Sequence, residues 1–365
     1  MKAESVLARH PRSRWAEEAR WLDGKALERA GNCTAALAPL QRTLQEARDP
    51  RRADDAALRL ASCQEKLGDP DAAGLSVERL LQNPDPAIRS QAAYRAGATY
   101  RRTGRSEEAV RVLRGSAEPR ARGELMVALA DAGDTPAATA LADTLLTVPD
   151  TLAPWGALLV GLGRHDLPAG SGMLDHLIAS GRFPVDSVAL WLGDDGARWM
   201  PRDTARALSR LEQAYEAAPA RPAGLEALLA MLRTRVAAAD DPSILDTVSD
   251  RLSDLPGSTG TASYRGRAFG ELATDLHGRI DSLVPGAPQG DLRGFLLGEA
   301  LRDSLGAPRL AAGVWRRVLA ERPASVYAPK LLLAVASVGG ASADSVHALL
   351  DSAYASNPYV HALQG

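Results

Sequence analysis

The residues of this chain that could do chemistry are scattered rather than gathered. Its six histidines, His10, His165, His176, His277, His347 and His361, lie far apart in sequence. A zincin needs two imidazoles one helical turn apart with a glutamate between them, and no His-Glu-x-x-His is present. A phosphate-binding loop needs Gly-Lys-Ser/Thr after a glycine-rich turn, and none occurs. Gly161-Leu162-Gly163 opens like a dinucleotide fingerprint but lacks its third glycine and a strand before it. Ser171 and Ser258 read as residues of glycine-containing turns without the G-x-S-x-G elbow that presents a nucleophile, so both are expected to be plain loop serines. Asp194-Asp195 and Asp240-Asp241 could hold a metal or act as an acid–base dyad. Adjacent loop residues rarely converge on one point, so solvated turn residues are expected, with Asp241 also a helix cap. Arg51-Arg52, Arg101-Arg102 and Arg316-Arg317 could grip phosphate, but acids stand near each, and solvated helix faces are expected.

Cys33 and Cys63 are the two cysteines, and no C-x-x-C or Cys/His cluster accompanies them, which removes structural zinc. They can lie on neighbouring helices as a disulfide or as two buried small apolar side chains, and the second reading is preferred. No cofactor and no metal is expected.

The net charge of -2 gives no field that would draw nucleic acid. The longest apolar runs, Ala157 to Val160 and Leu331 to Ala336, fall well short of the roughly 20 residues a membrane-spanning helix needs, so no transmembrane segment is expected. Aromatics make up only 4%, so the core must be built from Ala, Leu and Val, which suits closely packed helices. The N-terminus enters a helical pattern without a signal-peptide apolar region. Read literally the chain is cytoplasmic; if a targeting segment is missing from it, it belongs in the periplasm or cell envelope.

What positions these residues is a repeat. A glycine followed five residues later by alanine recurs at Gly31/Ala36, Gly68/Ala73, Gly104/Ala109 and Gly133/Ala138, with glycine spacings of 37, 36 and 29. Helical apolar spacing precedes each glycine and follows each alanine: Trp15, Ala19, Leu22 and Ala26, then Ala36, Leu37, Leu40 and Leu44. The physics is that of a tight helical hairpin, in which glycine takes the left-handed backbone ending one helix and alanine lets the next approach. Asp69-Pro70, Thr135-Pro136 and Asp241-Pro242 read as caps with proline in the first helical turn. A proline series (Pro11, Pro50, Pro84, Pro119, Pro149, Pro184, Pro219, Pro256, Pro285, Pro323, Pro358) reads as closing each second helix, at a mean interval of about 35. Ala207-Leu211-Ala214-Pro219 and Ala311-Trp315-Leu319-Pro323 repeat one small–large pattern. No strand-like alternation appears, so essentially no sheet is expected.

This pattern resembles the tetratricopeptide repeat. Gly24 with Gly31, and Gly97 with Tyr100 and Gly104, match its first helix and hairpin; Ala36, Ala73, Ala109 and Ala311 match the small residue of its second helix. The match is good over residues 1–150 and 290–365 and poor over 151–289. The joints HPRSRWAEEA (10–19) and RPASVYAPKL (322–331), partly repeated in NPYVHA (357–362), share Pro-x-Ser-x-aromatic-Ala. There proline ends one helix, serine caps the next, and the aromatic and alanine pack on the preceding pair. Such joints are similar to those of periplasmic tetratricopeptide proteins, including the outer-membrane assembly lipoprotein family, whose lipid-attachment cysteine is absent here. The resemblance implies a right-handed, all-α solenoid of antiparallel helix pairs, about ten units with a period of about 35. It also implies a peripheral association with a bacterial cell envelope.

The expected organisation is tetratricopeptide-like repeats over 1–150, divergent helical repeats over 151–255, an irregular connector over 256–290, and C-terminal repeats over 291–365. Residues 256–262 and 285–290 have loop composition and flank one long helix over about 263–284, either a hinge or an ordinary insertion. Residues 193–203, carrying Trp199, read as a turn-rich patch. In a solenoid the first helices line the concave face. That register turns Glu18, Trp21, Lys25, Glu28 and Arg29 inward from the first repeat, and Gln91, Tyr94, Arg101 and Arg102 from the third. Aromatic and arginine positions of this kind favour a binding hot spot, whereas Trp21 and Tyr94 could instead pack between helices. The expected groove is Trp21, Lys25, Arg29, Tyr94, Arg101 and Arg102. The three asparagines are not at groove positions, so a Lys/Asn clamp on a peptide carboxylate is not expected. The function expected is a non-enzymatic scaffold for a protein or peptide partner; the alternatives are a spacer within a larger protein and, more distantly, an enzyme with a site in 151–289. Trp191, Asp194 and Trp199 converging in a deep pocket would favour the enzyme.

Overall fold

In the computed structural model, residues 2–10, 13, 15–148, 153–253, 255, 260–339, 348 and 350–364 are described. Pro11, Pro149, Pro256, Ser258 and His347 lie outside them. The chain is all-helical, and no strand occurs among the described residues. Its contacts divide it into two units, Met1–Arg182 and Phe183–Gly365.

The first unit contains α1 (Lys2–Arg9), α2 (Ala16–Arg29), α3 (Cys33–Glu46), α4 (Pro50–Lys66), α5 (Pro70–Val77, continued by a 3-10 turn to Gln82), α6 (Pro86–Arg102), α7 (Ser106–Leu113), α8 (Ala121–Asp131), α9 (Thr135–Leu146), α10 (Trp155–His165) and α11 (Leu167–Ala179). Each even-numbered helix from α2 packs on the odd one that follows it, and α2 on α4, α6 on α8 and α8 on α10 as well. Four of these hairpins are built alike. Gly31, Gly68, Gly104 and Gly133 all hold φ near +80°. The amide after each glycine donates to a carbonyl five residues back: Asn32 to Leu27, Asp69 to Gln64, Arg105 to Tyr100, Asp134 to Leu129. This satisfies carbonyls that the helix end would otherwise leave unpaired. Asn32, Asp69 and Asp134 then cap the next helix. Asp134 rather than Thr135 is therefore the cap of α9. The alanine five residues beyond each glycine is fully buried.

Helix spacing follows from residue size. A Cβ on Gly24 would lie 2.7 Å from Leu40 Cδ2, and one on Gly97 2.4 Å from Leu113 Cγ. Both glycines stand seven residues before a hairpin glycine, and their partners sixteen residues later. The same two positions in the other hairpins hold Ala61 with Val77 and Met126 with Ala142, all buried. The small residue is on the first helix until the fourth hairpin, where large and small exchange places. Trp15 and Leu22 are not on the core face of α2, being 54% and 44% exposed; that face is Ala16, Ala19 and Gly24, with Leu27 partly buried beside it. The apolar phase read from the larger side chains is thus rotated, because the close helix contact selects small ones.

Several prolines open helices rather than close them. Pro50 and Pro86 are first-turn residues of α4 and α6, behind the caps Asp49 and Asp85, and Pro358 begins the last helix. A proline there loses no hydrogen bond. Cys33, at the start of α3, and Cys63, on α4, are joined by a disulfide within a cluster that includes Ala36, Leu40, Ala56 and Leu60. The preferred reading of two unlinked apolar side chains gives way to a staple, because the packing of α4 on α3, between one hairpin and the next, sets their Cα atoms 5.0 Å apart.

The second unit contains α12 (Val185–Trp199), α13 (Thr204–Ala217), α14 (Pro222–Ala238), α15 (Ile244–Ser253), α16 (Thr261–Asp281), α17 (Gly290–Glu299), α18 (Pro308–Glu321), α19 (Ala328–Gly339) and α20 (Pro358–Gln364). Residues 193–199, read as turn, are helix: Gly196 lets α12 approach Ala207 and Leu211 of α13, and only 200–203 turn. The long helix expected over 263–284 is α16. Between α17 and α18 the hairpin of the first unit returns with one residue more. A π-helical turn, Ala300–Leu305, ends at Gly306 with φ 75°, and the amide of Ala307 donates six residues back to Leu301. Gly298 lies eight residues before Gly306 and faces Trp315 seventeen residues on, each interval one longer than at Gly24. The π turn, a single turn of wider winding at the end of α17, takes up the additional residue. Ala311, five beyond Gly306, is again fully buried.

The joint at 322–331 behaves as expected. Ser325 Oγ accepts from the amide of Tyr327, Tyr327 stacks on Phe295 at 5.7 Å, and Ala328 is buried. Asn357 takes the serine's place at the last joint, accepting from the amide of Tyr359. In the first joint, where Pro11 lies outside the described residues, Ala16 is buried as expected, Trp15 is exposed, and Ser13 Oγ has no hydrogen-bond partner among the described residues.

Candidate functional site

The residues expected in a groove belong to two kinds of environment. In the first unit the helices α2, α4, α6, α8 and α10 are joined, each to the next, by side chains of opposite charge. Arg52 of α4 lies 3.6 Å from Glu17 and 3.7 Å from Glu18 of α2. Trp21 Nε1 donates to Asp55 Oδ2 at 2.6 Å, and Arg59 binds both Asp55, at 2.8 Å, and Glu28, at 2.7 Å. Glu65 pairs with Arg95 at 3.0 Å, which carries the series from α4 to α6. Arg101 then reaches Glu124 at 2.8 Å and Asp131 at 3.8 Å on α8, and Arg164 of α10 reaches Asp131 at 3.4 Å.

Trp21 is half-buried, with Lys25 over its ring at 4.6 Å and Arg52 at 5.8 Å. Trp21, Lys25 and Arg101 therefore stand on one polar ladder, though at separate rungs. Arg102 leaves it, binding Asp71 of α5 at 2.9 Å. Tyr94 packs beside the core cluster of Tyr100 and Leu113, and Arg29 is exposed at the end of α2.

The two ends of the ladder differ electrostatically. Burial opposes ionisation of Asp55, but the bonds from Arg59 and Trp21 outweigh it, and its pKa is lowered. Burial also opposes ionisation of Asp131; Arg101, Arg164 and His165 offset it only in part, and its pKa is raised.

The second unit differs in kind. Asp194 and Asp195 are helical residues of α12, not turn residues. Asp195 is buried and lies 3.0 Å from Arg210 of α13, their side chains only 5% and 9% exposed. Back in the first unit, Ser171, expected in a turn, is a fully buried residue of α11, and Gly161 serves the contact of α10 with Ala130 of α8. Asp241 accepts from the amide of Ser243, as a cap would, and Asp240 pairs with Arg309 at 3.2 Å. Trp191, Asp194 and Trp199 do not converge. Trp191 meets the edge of Phe183, Arg206 covers Trp199 at 4.0 Å, and Asp194 lines a groove between α12 and α14. Sequence reading missed that groove. Its signal was a run of small residues, Ala189, Gly193 and Ala197, matched on α14 by Ala223, Ala227 and Ala230.

Among the described residues no cluster of His, Cys, Asp and Glu could hold a metal, and no helix is long and apolar enough to cross a membrane. The chain matches no family model and no curated protein.

Proposed function

We propose that the chain is a non-catalytic protein-interaction scaffold, a right-handed solenoid of tetratricopeptide-like helix pairs that receives a partner segment along the face of its first helices. The observation that carries this reading is the polar ladder from Glu17 to Arg164, which joins five successive first helices. Side chains held by neighbours lose less freedom when a partner engages them, and half-buried tryptophan beside cations is hot-spot chemistry. Trp21, Lys25 and Arg101 are the anchors on that face, and Arg29, Tyr94 and Arg102 border it. The Cys33–Cys63 disulfide supports a place in an oxidising compartment such as a bacterial envelope, since such bonds rarely persist in reducing cytosol.

The test is a pull-down from source-cell lysate with the chain as bait and the Trp21→Ala/Arg101→Ala double variant as control. Envelope proteins captured by the first and lost by the second, with both baits equally folded, are the expected result. The same proteins on both baits would remove the ladder from binding and favour a spacer role.

A further inference from the structure

Between α12 and α14 lies a groove of about 620 Å³, inside the roughly 300–1,000 Å³ of ordinary ligand sites. Leu211 of α13 is part of its lining, and small residues of α12 and α14 form much of its walls. Leu190, on its rim, is 54% exposed. No lysine, arginine or histidine lines it, whereas two carboxylates do, Asp194 on α12 and Glu226 on α14. Glu226 is already bound by Arg265 at 2.7 Å. Asp194 is exposed and has no ion-pair or hydrogen-bond partner among the described residues. One wall thus shows a carboxylate bound to a guanidinium, and the other a carboxylate with none.

The dimensions restrict the occupant. The lining runs from Ala189 of α12 to Met200, the residue that follows the helix, about 16 Å along the axis, the span of about five extended residues. Because α12 and α14 pack on each other, the space between them takes side chains rather than a whole helix, which is about 10 Å across. Apolar walls favour aliphatic groups by releasing water.

We infer that this groove holds a short extended protein segment in which aliphatic side chains are followed by lysine or arginine, the cation seated on Asp194. This rests on the scaffold reading and gives it a second contact with a stated chemistry.

The experiment is fluorescence anisotropy with the full chain and three fluorescein-labelled peptides: Gly-Leu-Ala-Leu-Arg-Gly, the same peptide with Glu for Arg, and the same with Ser for both Leu. The Leu/Arg peptide should bind at least about tenfold tighter than either relative. Asp194→Lys should reverse the preference to the Glu peptide, a gain that no unfolded chain can give. Ala197→Trp, at an exposed lining position, should weaken all binding about tenfold. Trp21→Ala/Arg101→Ala should leave peptide binding unchanged. Equal binding of the three peptides, an unreversed preference in Asp194→Lys, or displacement by dodecylamine as effective as by unlabelled Leu/Arg peptide would overturn the inference. None of these outcomes bears on the lysate test, so the groove can fail while the scaffold stands, and the reverse.

Discussion

The hairpins of residues 16–146 and those of residues 185–321 solve one packing problem by different means. In the first set every turn is a glycine at φ near +80° with the same carbonyl bonding, and successive first helices are tied by ion pairs. Among the described residues of the second set only Gly306 keeps that turn. Asp203 caps α13 without a left-handed glycine before it, and α12 and α14 leave an apolar groove where the first unit has charges. Identical turns give identical offsets, which bring the same helix positions into register and allow a ladder to form. Where the turns vary, the offsets vary: α14 and α16 keep one ion pair, Glu226 with Arg265, but α12 and α14 face each other with small side chains and leave the gap between them open.

The comparison breaks most sharply at glycine, because the two units need it for different reasons. A Cβ on Gly298 would fall 1.9 Å from Nε1 of Trp315, which is fully buried and donates to the carbonyl of Phe295. Gly298→Val should cost about 4 kcal/mol, above the roughly 1–3 kcal/mol usual for overpacking, measured by chemical denaturation. Gly313→Ala is the control: it lies in α18 with nothing within 4 Å of an added Cβ, and should stabilise by about 0.5–1 kcal/mol. A small loss at Gly298 would mean that the π turn can shift, and that α17–α18 is not the first-unit hairpin with an added residue.

The staple of the first unit has no counterpart in the second. Cys33 and Cys63 close a loop of sequence separation 30. Cys33→Ala/Cys63→Ala should lower stability by about 3 kcal/mol, chiefly by freeing the unfolded chain. Thiol labelling of the unfolded, unreduced protein should modify neither cysteine. If both label, the pair is a packed thiol pair and the support for an oxidising compartment is withdrawn.

Gly31 measures the backbone reason alone, since an added Cβ there meets no atom within 4 Å yet φ is +78°. Gly31→Val should cost about 2 kcal/mol, and Gly31→Asn clearly less, because asparagine tolerates that region. Equal losses would place the cost in a contact and remove the turn from the comparison.

How much of this was legible follows from the range of each interaction. Turn glycines, the alanines five residues on and the Asp69 cap are local, and their positions in sequence suffice. The long α16 was readable from the loop compositions around it. The core face of α2 was not, since its helix contact is made by Ala16, Ala19 and Gly24 while Trp15 and Leu22 supply the stronger apolar signal and are exposed. Asp194-Asp195 reads as a turn until Arg210, fifteen residues later, gives Asp195 a buried partner. The groove needs α12 and α14 side by side before two rows of small residues have any meaning. Met126 with Ala142 hides the size rule that Gly24 with Leu40 displays, because only the pair of positions keeps constant bulk.

The smallest expected effect separates the two ends of the ladder by pH. Asp55 has a lowered pKa, so it contributes stability above its ordinary value of 3.8, and that contribution is lost as pH falls through the lower folded value. Asp131 has a raised pKa, so the sign is opposite: relative to its neutral form it is penalised as pH rises through the folded value, and the penalty is absent below 3.8. Asp55→Asn should therefore destabilise at pH 7 and much less once the pH is well below 3.8. Asp131→Asn should cost less at pH 7, because relief from burying a charge offsets the lost pairing with Arg101 and Arg164. Denaturation midpoints of the two variants between pH 3 and 7 should converge toward the acid end, with Asp55→Asn supplying the larger slope. Parallel slopes would mean that both carboxylates are equally solvated, and that the ladder is a row of exposed pairs with no preorganised face for a partner to meet.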